Sequence, residues 1–499
     1  MPNPKRLPVR HAKEGTLPAR APTWLARALA VALLVAVMAA AWSLINLDVL
    51  PPRYLAVLAV VAVGATIAIG LGLWFVKVPP QSGRLTVLGG LAAAGITGCL
   101  FATQAGHEVT SFVDKANEVH QARTGYSVIS LLSHDPELTS LEGQLVGQLA
   151  TDSNKADVAR TLGQLVPVEM TELNEPGDLA SALTNGEIEG AVLDSNFLDM
   201  YKEALPEFYE SIQVMATFEV VALVTAAAAE QTKPARAAGD DSPFVVYISG
   251  IDTFGSIDLT SRSDVNILVV INPAEHRILL VNTPRDYYVQ LHGTTGVKDK
   301  LTHAGIYGIQ MSIDTLEDLY DISIDYYVRI NFSSLVKIVN TVGGIDVESE
   351  YSFTSKYGHY WFSQGVNHLN GDQALGFARE RYAFGGGDRV RGENQQRVIK
   401  ALITKAMEPQ NLANYSDILA SIEGAIQMTV PMEEISALVR DQLNAPASWQ
   451  VDMVSADGTD SSQPTYSMGS VYSYVMIPDD ASIEAVRAAI EDVLAQPEG

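Results

Sequence analysis

Asn266-Ile267-Leu268-Val269-Val270-Ile271-Asn272-Pro273-Ala274-Glu275-His276-Arg277-Ile278-Leu279-Leu280-Val281 is the stretch that decides the fold. Two β-branched, apolar runs flank an Asn-Pro-Ala-Glu-His turn, and this pattern predicts a β-hairpin. Upstream, Phe244–Ser249 is a third β-branched run. Downstream, apolar residues return at helical spacing over Ser312–Leu319 and Phe332–Val342, and Gly343-Gly344 ends the latter. Further helices are expected over Asp372–Arg379, Asn394–Met407 and Ser482–Leu494, the last opening behind Asp479-Asp480. Strands mixed with helices in this order predict an α/β domain over residues 244–499.

Working back towards the N-terminus, residues 229–243 are rich in Ala, Gly, Asp, Lys and Pro and have no apolar period, as expected of a linker. Before it, residues 110–225 alternate strand-like runs (Tyr126–Leu132, Leu145–Ala150, Val166–Thr171, Ile188–Leu193) with helical ones (Asn154–Leu165, Leu179–Leu183). That alternation predicts a small α/β accessory domain.

The first hundred residues are different in kind. Trp24–Ile45, Tyr54–Val76 and Leu85–Thr103 are apolar runs near the ~20 residues that cross a hydrocarbon core. Lys5, Arg6, Arg10, Lys13, Arg20 and Arg27 precede or open the first, and Lys77 and Arg84 lie between the second and third. Basic residues stay in the cytoplasm, so a cytoplasmic tail (1–22) and three membrane helices (23–105) are expected, with everything beyond outside the cell.

The full chain has 58 acidic against 33 basic residues, a formal net charge of −25. That balance argues against a nucleic-acid partner, which needs an excess of Lys and Arg. The sole cysteine, Cys99, lies within an apolar run, which excludes an intrachain disulfide framework.

Against this acidic background, four short segments place charge among apolar neighbours: Gly250-Ile251-Asp252, Ser261-Arg262-Ser263-Asp264, Thr283-Pro284-Arg285-Asp286, and the stretch from Ala378 to Arg397. The last holds Arg379, Arg381 and Asp388-Arg389-Val390-Arg391, followed by Asn394-Gln395-Gln396. Asp252 follows one expected strand, Asp264 precedes the next, and Arg285 follows the hairpin, so the loops can converge at one rim. Arg391 and Gln395, four apart, share a helix face. Clustered arginines in an acidic domain require either an anionic ligand or many acidic partners, and guanidinium forks match phosphate oxygens.

This set of motifs, in this order, resembles the LytR-CpsA-Psr family. The resemblance implies an α-β-α domain with a central mixed sheet. It implies transfer of an anionic glycopolymer phosphate (teichoic acid, capsule or related) from polyprenyl pyrophosphate to peptidoglycan at the cell membrane. It further implies that Asp252 and Asp264 hold Mg²⁺. Arg262, Arg285, Arg379, Arg381, Arg391 and Gln395 would bind pyrophosphate, with Asp252, Asp264 and Arg285 carrying the catalysis. An apolar tunnel for the polyprenyl tail is implied as well. Asn394 stands where many relatives have Arg, and Val265-Asn266 where a small and an apolar residue are more usual. A polyprenyl-pyrophosphate hydrolase would use the same residues with water as acceptor. A membrane-bound transcriptional attenuator is the other alternative, though no helix-turn-helix is legible and the charged set is expected outside the cell. Lys300 is expected either at a glycan phosphate or as a solvated helix-start charge, and His303 either as a general base or as a hydrogen-bonded structural residue.

Overall fold

The computed structural model describes residues 21–46, 52–75, 87–100, 103, 123–221, 241–252, 257–383, 385–413, 418–419, 422 and 424–495. The 1–22 tail and the 229–243 linker lie largely outside them. The chain divides into two compact units, Met1–Glu108 and Val109–Gly499.

The first unit holds helices α1 (Ala21–Asn46) and α2 (Pro52–Phe75) and the apolar helix α3 (Val87–Leu100). Trp24–Trp42 of α1 is long and apolar enough to cross a membrane, while the apolar parts of the other two are shorter, Ala59–Trp74 and Val87–Leu100.

Among the described residues the second unit contains two large sheets, of five and six strands, and four two-stranded ones. The first lobe is built on β1 (Arg123–Leu131), β2 (Leu145–Leu149), β3 (Glu169–Leu173), β4 (Gly190–Asp194) and β5 (Ile212–Val221), in the order β3-β2-β4-β1-β5. β2 is parallel to β3 and β4, whereas β1 is antiparallel to β4 and β5. Helices α4 (Lys155–Leu165), α5 (Pro176–Thr184), α6 (Asn196–Ala204) and α7 (Pro206–Ser211) connect the strands. The third strand starts later than the Val166–Thr171 expected, because Val166 caps α4 and Pro167 follows it.

The second lobe carries the opening hairpin. β6 (Phe244–Ile251), β7 (Ser263–Asn272) and β8 (Arg277–Asn282) are successive antiparallel neighbours, with Ile271 opposite Ile278. Short β9 (Tyr288–Val289) and β10 (Asp299–Lys300) pair beside it, and α8 (Leu301–Ala304) and α9 (Ile309–Tyr320) follow. β11 (Tyr326–Asn331) runs parallel to β6, and α10 (Phe332–Thr341) begins behind an Asn331 capping box. Next come β12 (Ile345–Ser349), β13 (Phe353–Thr354), β14 (Trp361–Phe362), β15 (Gly365–Leu369), α11 (Gly371–Ala378), α12 (Asp388–Ala406) and α13 (Pro409–Ala413). β16 (Ile426–Met428), α14 (Met432–Asn444), β17 (Gln450–Ser455), the hairpin β18 (Gly458–Thr465) and β19 (Gly469–Pro478), and α15 (Asp480–Leu494) complete the described chain. The resulting sheet, β16-β11-β6-β7-β8-β17, is mixed.

Both faces of this sheet are covered. Val245, Tyr247, Leu268, Val270, Leu279 and Val281 pack against α9 and α15, while Phe244, Val246, Ile267, Val269, Ile278 and Leu280 pack towards Ile399 on α12. Strands buried on both faces read as unbroken apolar runs rather than alternations, as the opening stretch does. The architecture is therefore α-β-α with a mixed sheet, as expected.

One boundary differs by a whole turn or more. α12 starts at Asp388, not Asn394, so Arg389 and Arg391 are helical. Gly392 looks like a helix breaker in the sequence. A Cβ there would press on the side-chain amide of buried Asn282, where the helix crosses the end of β8.

Candidate functional site

The C-terminal end of β6, the start of β7 and the segment after β8 meet at one edge of the sheet. Opposite Gly250 and Ile251 the pairing of β7 shifts register: Ser263 faces Ile251 and Val265 faces Gly250, leaving Asp264 as an extra residue. A bulge re-aims its side chain. Asp264 Oδ2 accepts from Arg285 Nη1 at 2.8 Å and Oδ1 from Thr302 Oγ1 at 2.9 Å. Asn266 stabilises the bulge, donating to Ser263 O and accepting from Tyr247 Oη, so its polarity has a structural use.

Arg285 also meets Asp286 at 3.4 Å and Glu203 at 2.9 Å. Arg262 is paired with Asp199 at 3.2 Å and Glu203 at 3.0 Å. Burial opposes the charge on Asp264, but Arg285, Arg262 and Arg391 outweigh it and hold the carboxyl well below the usual range. Asp252 differs: burial and the neighbouring Asp264 push its pKa up, against Arg379 and Arg262.

The outer part of the site comes from α11 and α12. Arg379 lies 3.6 Å from Asp252 and stacks on Phe332 and Tyr357. Arg381 donates to Tyr382 Oη at 2.6 Å, and Arg391 pairs with Asp388 at 2.6 Å. Buried Glu380 organises the turn between these arginines by accepting from the backbone N–H of Tyr382 and Ala383. The adjacent glutamines divide: Gln395 lines the cavity, whereas Gln396 is buried and bonds Leu280 O, Val454 O and Ser455 Oγ.

These groups line one cavity of about 480 Å³. All eight sequence candidates, Asp252, Arg262, Asp264, Arg285, Arg379, Arg381, Arg391 and Gln395, are on its wall. The same wall carries apolar side chains, Ile330, Phe332, Leu335, Leu375, Val398 and Ile399.

The surroundings of four candidates, Arg262, Arg285, Lys300 and His303, narrow the readings open to them. Arg262 and Arg285 have acidic protein partners, so for these two the acidic-partner explanation of clustered arginine holds. Lys300 is not a solvated charge: it is 2% exposed and held by Glu203 and Asp286, each at 3.1 Å. His303 is buried against Asp299 and Ser467, which fits the structural alternative. Glu203 and Thr302 were not legible as site residues, since both are reached only through tertiary contact.

Asp252 and Asp264 are two mutually repelling carboxylates, a donor set suited to a hard cation. Among the described residues no group of three or more His, Cys, Asp or Glu gathers for a metal. The remaining ligands would be substrate oxygens and water, as is usual for Mg²⁺.

Residues 213–488 match the model of the LytR_cpsA_psr family. The chain is 33% identical over 219 residues (43% of this chain, 71% of the relative) to the polyisoprenyl-teichoic acid–peptidoglycan teichoic acid transferase TagU of Enterococcus faecalis. It is 30% identical over 259 residues (50% of this chain, 65% of the relative) to the enzyme of the same description, TagV, of Bacillus subtilis. The crystal structure of B. subtilis TagV aligns at a TM-score of 0.45 and 30% identity, covering 52% of this chain and all of that one. With the family model spanning more than half of its length, this chain belongs to the LytR_cpsA_psr family.

Proposed function

We propose that this protein transfers an anionic glycopolymer phosphate, of teichoic-acid or capsule type, from a polyprenyl-pyrophosphate carrier to peptidoglycan, releasing polyprenyl phosphate. The observation that carries the reading is the mixed lining of one cavity, which joins arginines and carboxylates to aliphatic and aromatic side chains. That combination suits a ligand with a phosphate head and an apolar tail. The transferase activity for which the relatives are named supports the same reaction class.

In this reading Arg379, Arg381, Arg391 and Gln395 bind the pyrophosphate from the solvent side, with the Arg262 and Arg285 forks beneath it. Asp252 and Asp264 would hold Mg²⁺, which when bound supplies charge neutralisation at the phosphate oxygens. A peptidoglycan hydroxyl forms the new P–O bond at the phosphorus bearing the glycan. The bond to the bridging oxygen breaks, and its electron pair leaves with polyprenyl phosphate. Asp252, with its side chain 35% exposed against 9% for Asp264, is the carboxylate open to the hydroxyl's proton. Phosphoryl transfer depends mainly on positioning and charge stabilisation, so no covalent nucleophile is required.

The same reading places residues 1–22 in the cytoplasm, three spans over 23–105, an accessory domain over 110–225 and the transferase domain over 244–499 outside the cell. The decisive experiment incubates the full chain in detergent with lipid-linked polymer and peptidoglycan oligomers. Polymer covalently joined to peptidoglycan is expected. Release of the polymer phosphate and polyprenyl phosphate without conjugate would instead identify a hydrolase.

A further inference from the structure

The inner cations of the cavity are held by a residue from the other lobe. On α6, Asp199, Lys202 and Glu203 recur at three- and four-residue spacing and all three line the cavity. Glu203 Oε1 accepts from Arg262 Nη1 at 3.0 Å and from Arg285 Nη2 at 2.9 Å, while Oε2 faces Lys300 Nζ at 3.1 Å. One carboxylate thus bridges three cations that are each less than a tenth exposed. Within ion-pair distance the second lobe gives this inner group Asp264 and Asp286, and α6 of the first lobe adds Glu203, with Asp199 on Arg262. Burial opposes ionisation of Glu203, but Arg285, Lys300 and Arg262 outweigh it and keep the carboxylate charged.

α6 is not a loosely apposed element. Arg123 N donates to Asp258 O at 3.1 Å, Thr260 N donates to Arg123 O at 2.8 Å, and Asn196 Nδ2 reaches Thr260 O at 3.2 Å. Farther off, Glu175 Oε2 accepts from Ser470 N at 2.9 Å and Ser470 Oγ at 2.7 Å. The first lobe is therefore tied to residues 258–260, immediately before Arg262. Glu203 takes one N–H from each arginine and leaves donors on both five-hydrogen forks for a ligand.

We infer that Glu203 is a positioning residue: the first lobe supplies the carboxylate that directs Arg262 and Arg285 at the phosphate-binding part of the cavity, with Lys300 as its third partner. The inference rests on the transfer reading above. It gives the first lobe a part in the chemistry that its own fold does not reveal.

The test compares full-length wild type, Glu203→Gln and Glu203→Asp in the transfer assay, with thermal unfolding of each. Glu203→Gln keeps size and loses charge; its kcat is expected to fall at least tenfold while KM for the lipid donor is unchanged or lower. Glu203→Asp, which keeps the charge one methylene shorter, is expected to recover part of the loss, whereas a merely structural role impairs both variants alike. Should Glu203→Gln fail to fold, the kcat-against-KM split is read on Glu203→Asp. Turnover in Glu203→Gln equal to or above wild type overturns the inference, and a rise would identify the carboxylate as an internal competitor of the donor. An active wild type beside an unimpaired variant removes only this inference; an inactive wild type removes the transfer reading as well.

Discussion

At the scale of single residues, the two carboxylates of the site differ in what their removal costs. Asp264 is buried and shares its oxygens with Arg285 and Thr302. Asp264→Ala leaves Arg285 short of a partner, and loss of one member of a buried pair typically destabilises by about 3–5 kcal/mol. Asp252 is one-third exposed, with one distant arginine beside it. Asp252→Asn is therefore expected to lower transfer on the order of a hundredfold, as removal of a key electrostatic group does, while thermal unfolding in the same preparation barely moves. Asp194, in the first lobe, provides a pH test. Burial raises its carboxyl to about 6, helped by Asp152 and opposed by hydrogen bonds from Asn196. Because the folded value lies above the unfolded one, its contribution is fully present below the unfolded pKa and is lost as pH rises through about 6. Asp194→Asn should flatten the stability profile between roughly pH 4 and 7, gaining on the order of 2–3 kcal/mol over wild type at the upper end. Urea unfolding across that range measures it.

At the scale of elements, the site depends on how α12 lies against the sheet. Gly392 crosses β8 at Asn282 with no room for a side chain. Gly392→Val should push the helix away, cost about 1–3 kcal/mol, and disturb Arg391, visible as lower thermal stability together with weaker donor binding. The neighbouring glutamines should separate cleanly. Gln396→Ala strips partners from Leu280 O and Val454 O, for about 1–3 kcal/mol of stability. Gln395→Ala, facing the cavity, should leave unfolding unchanged and raise KM for the lipid donor. The motif alone does not distinguish these two adjacent identical residues. Their difference comes from which side of α12 meets the sheet, and the helix itself begins earlier than its glycine suggests.

At the scale of the whole molecule, the acidic chain buries Arg262, Arg285 and Lys300 around one carboxylate, and carboxylates from both lobes compensate them. Membrane topology is open to a direct test because Cys99 is the sole cysteine. In a Cys99→Ser background, intact cells are treated with a membrane-impermeant maleimide. Three spans predict labelling of Asp178→Cys and protection of Ser82→Cys. Labelling of both would mean that the second and third apolar runs do not cross.

The opening hairpin and the four charge-bearing segments were determined by local pattern, whereas the α-β-α layering and the roles of the eight candidate residues came from the resemblance to the LytR-CpsA-Psr family. Apolar runs specify buried strands, and charges placed among them specify where strands end at a functional rim. Tertiary structure decided the rest. The bulge at Asp264, the early start of α12, the burial of Lys300 and the arrival of Glu203 from α6 all depend on segments distant in sequence meeting in space. Charge balance is the physical reason. The sequence shows that arginines cluster, but which anions answer them depends on which backbones pack side by side.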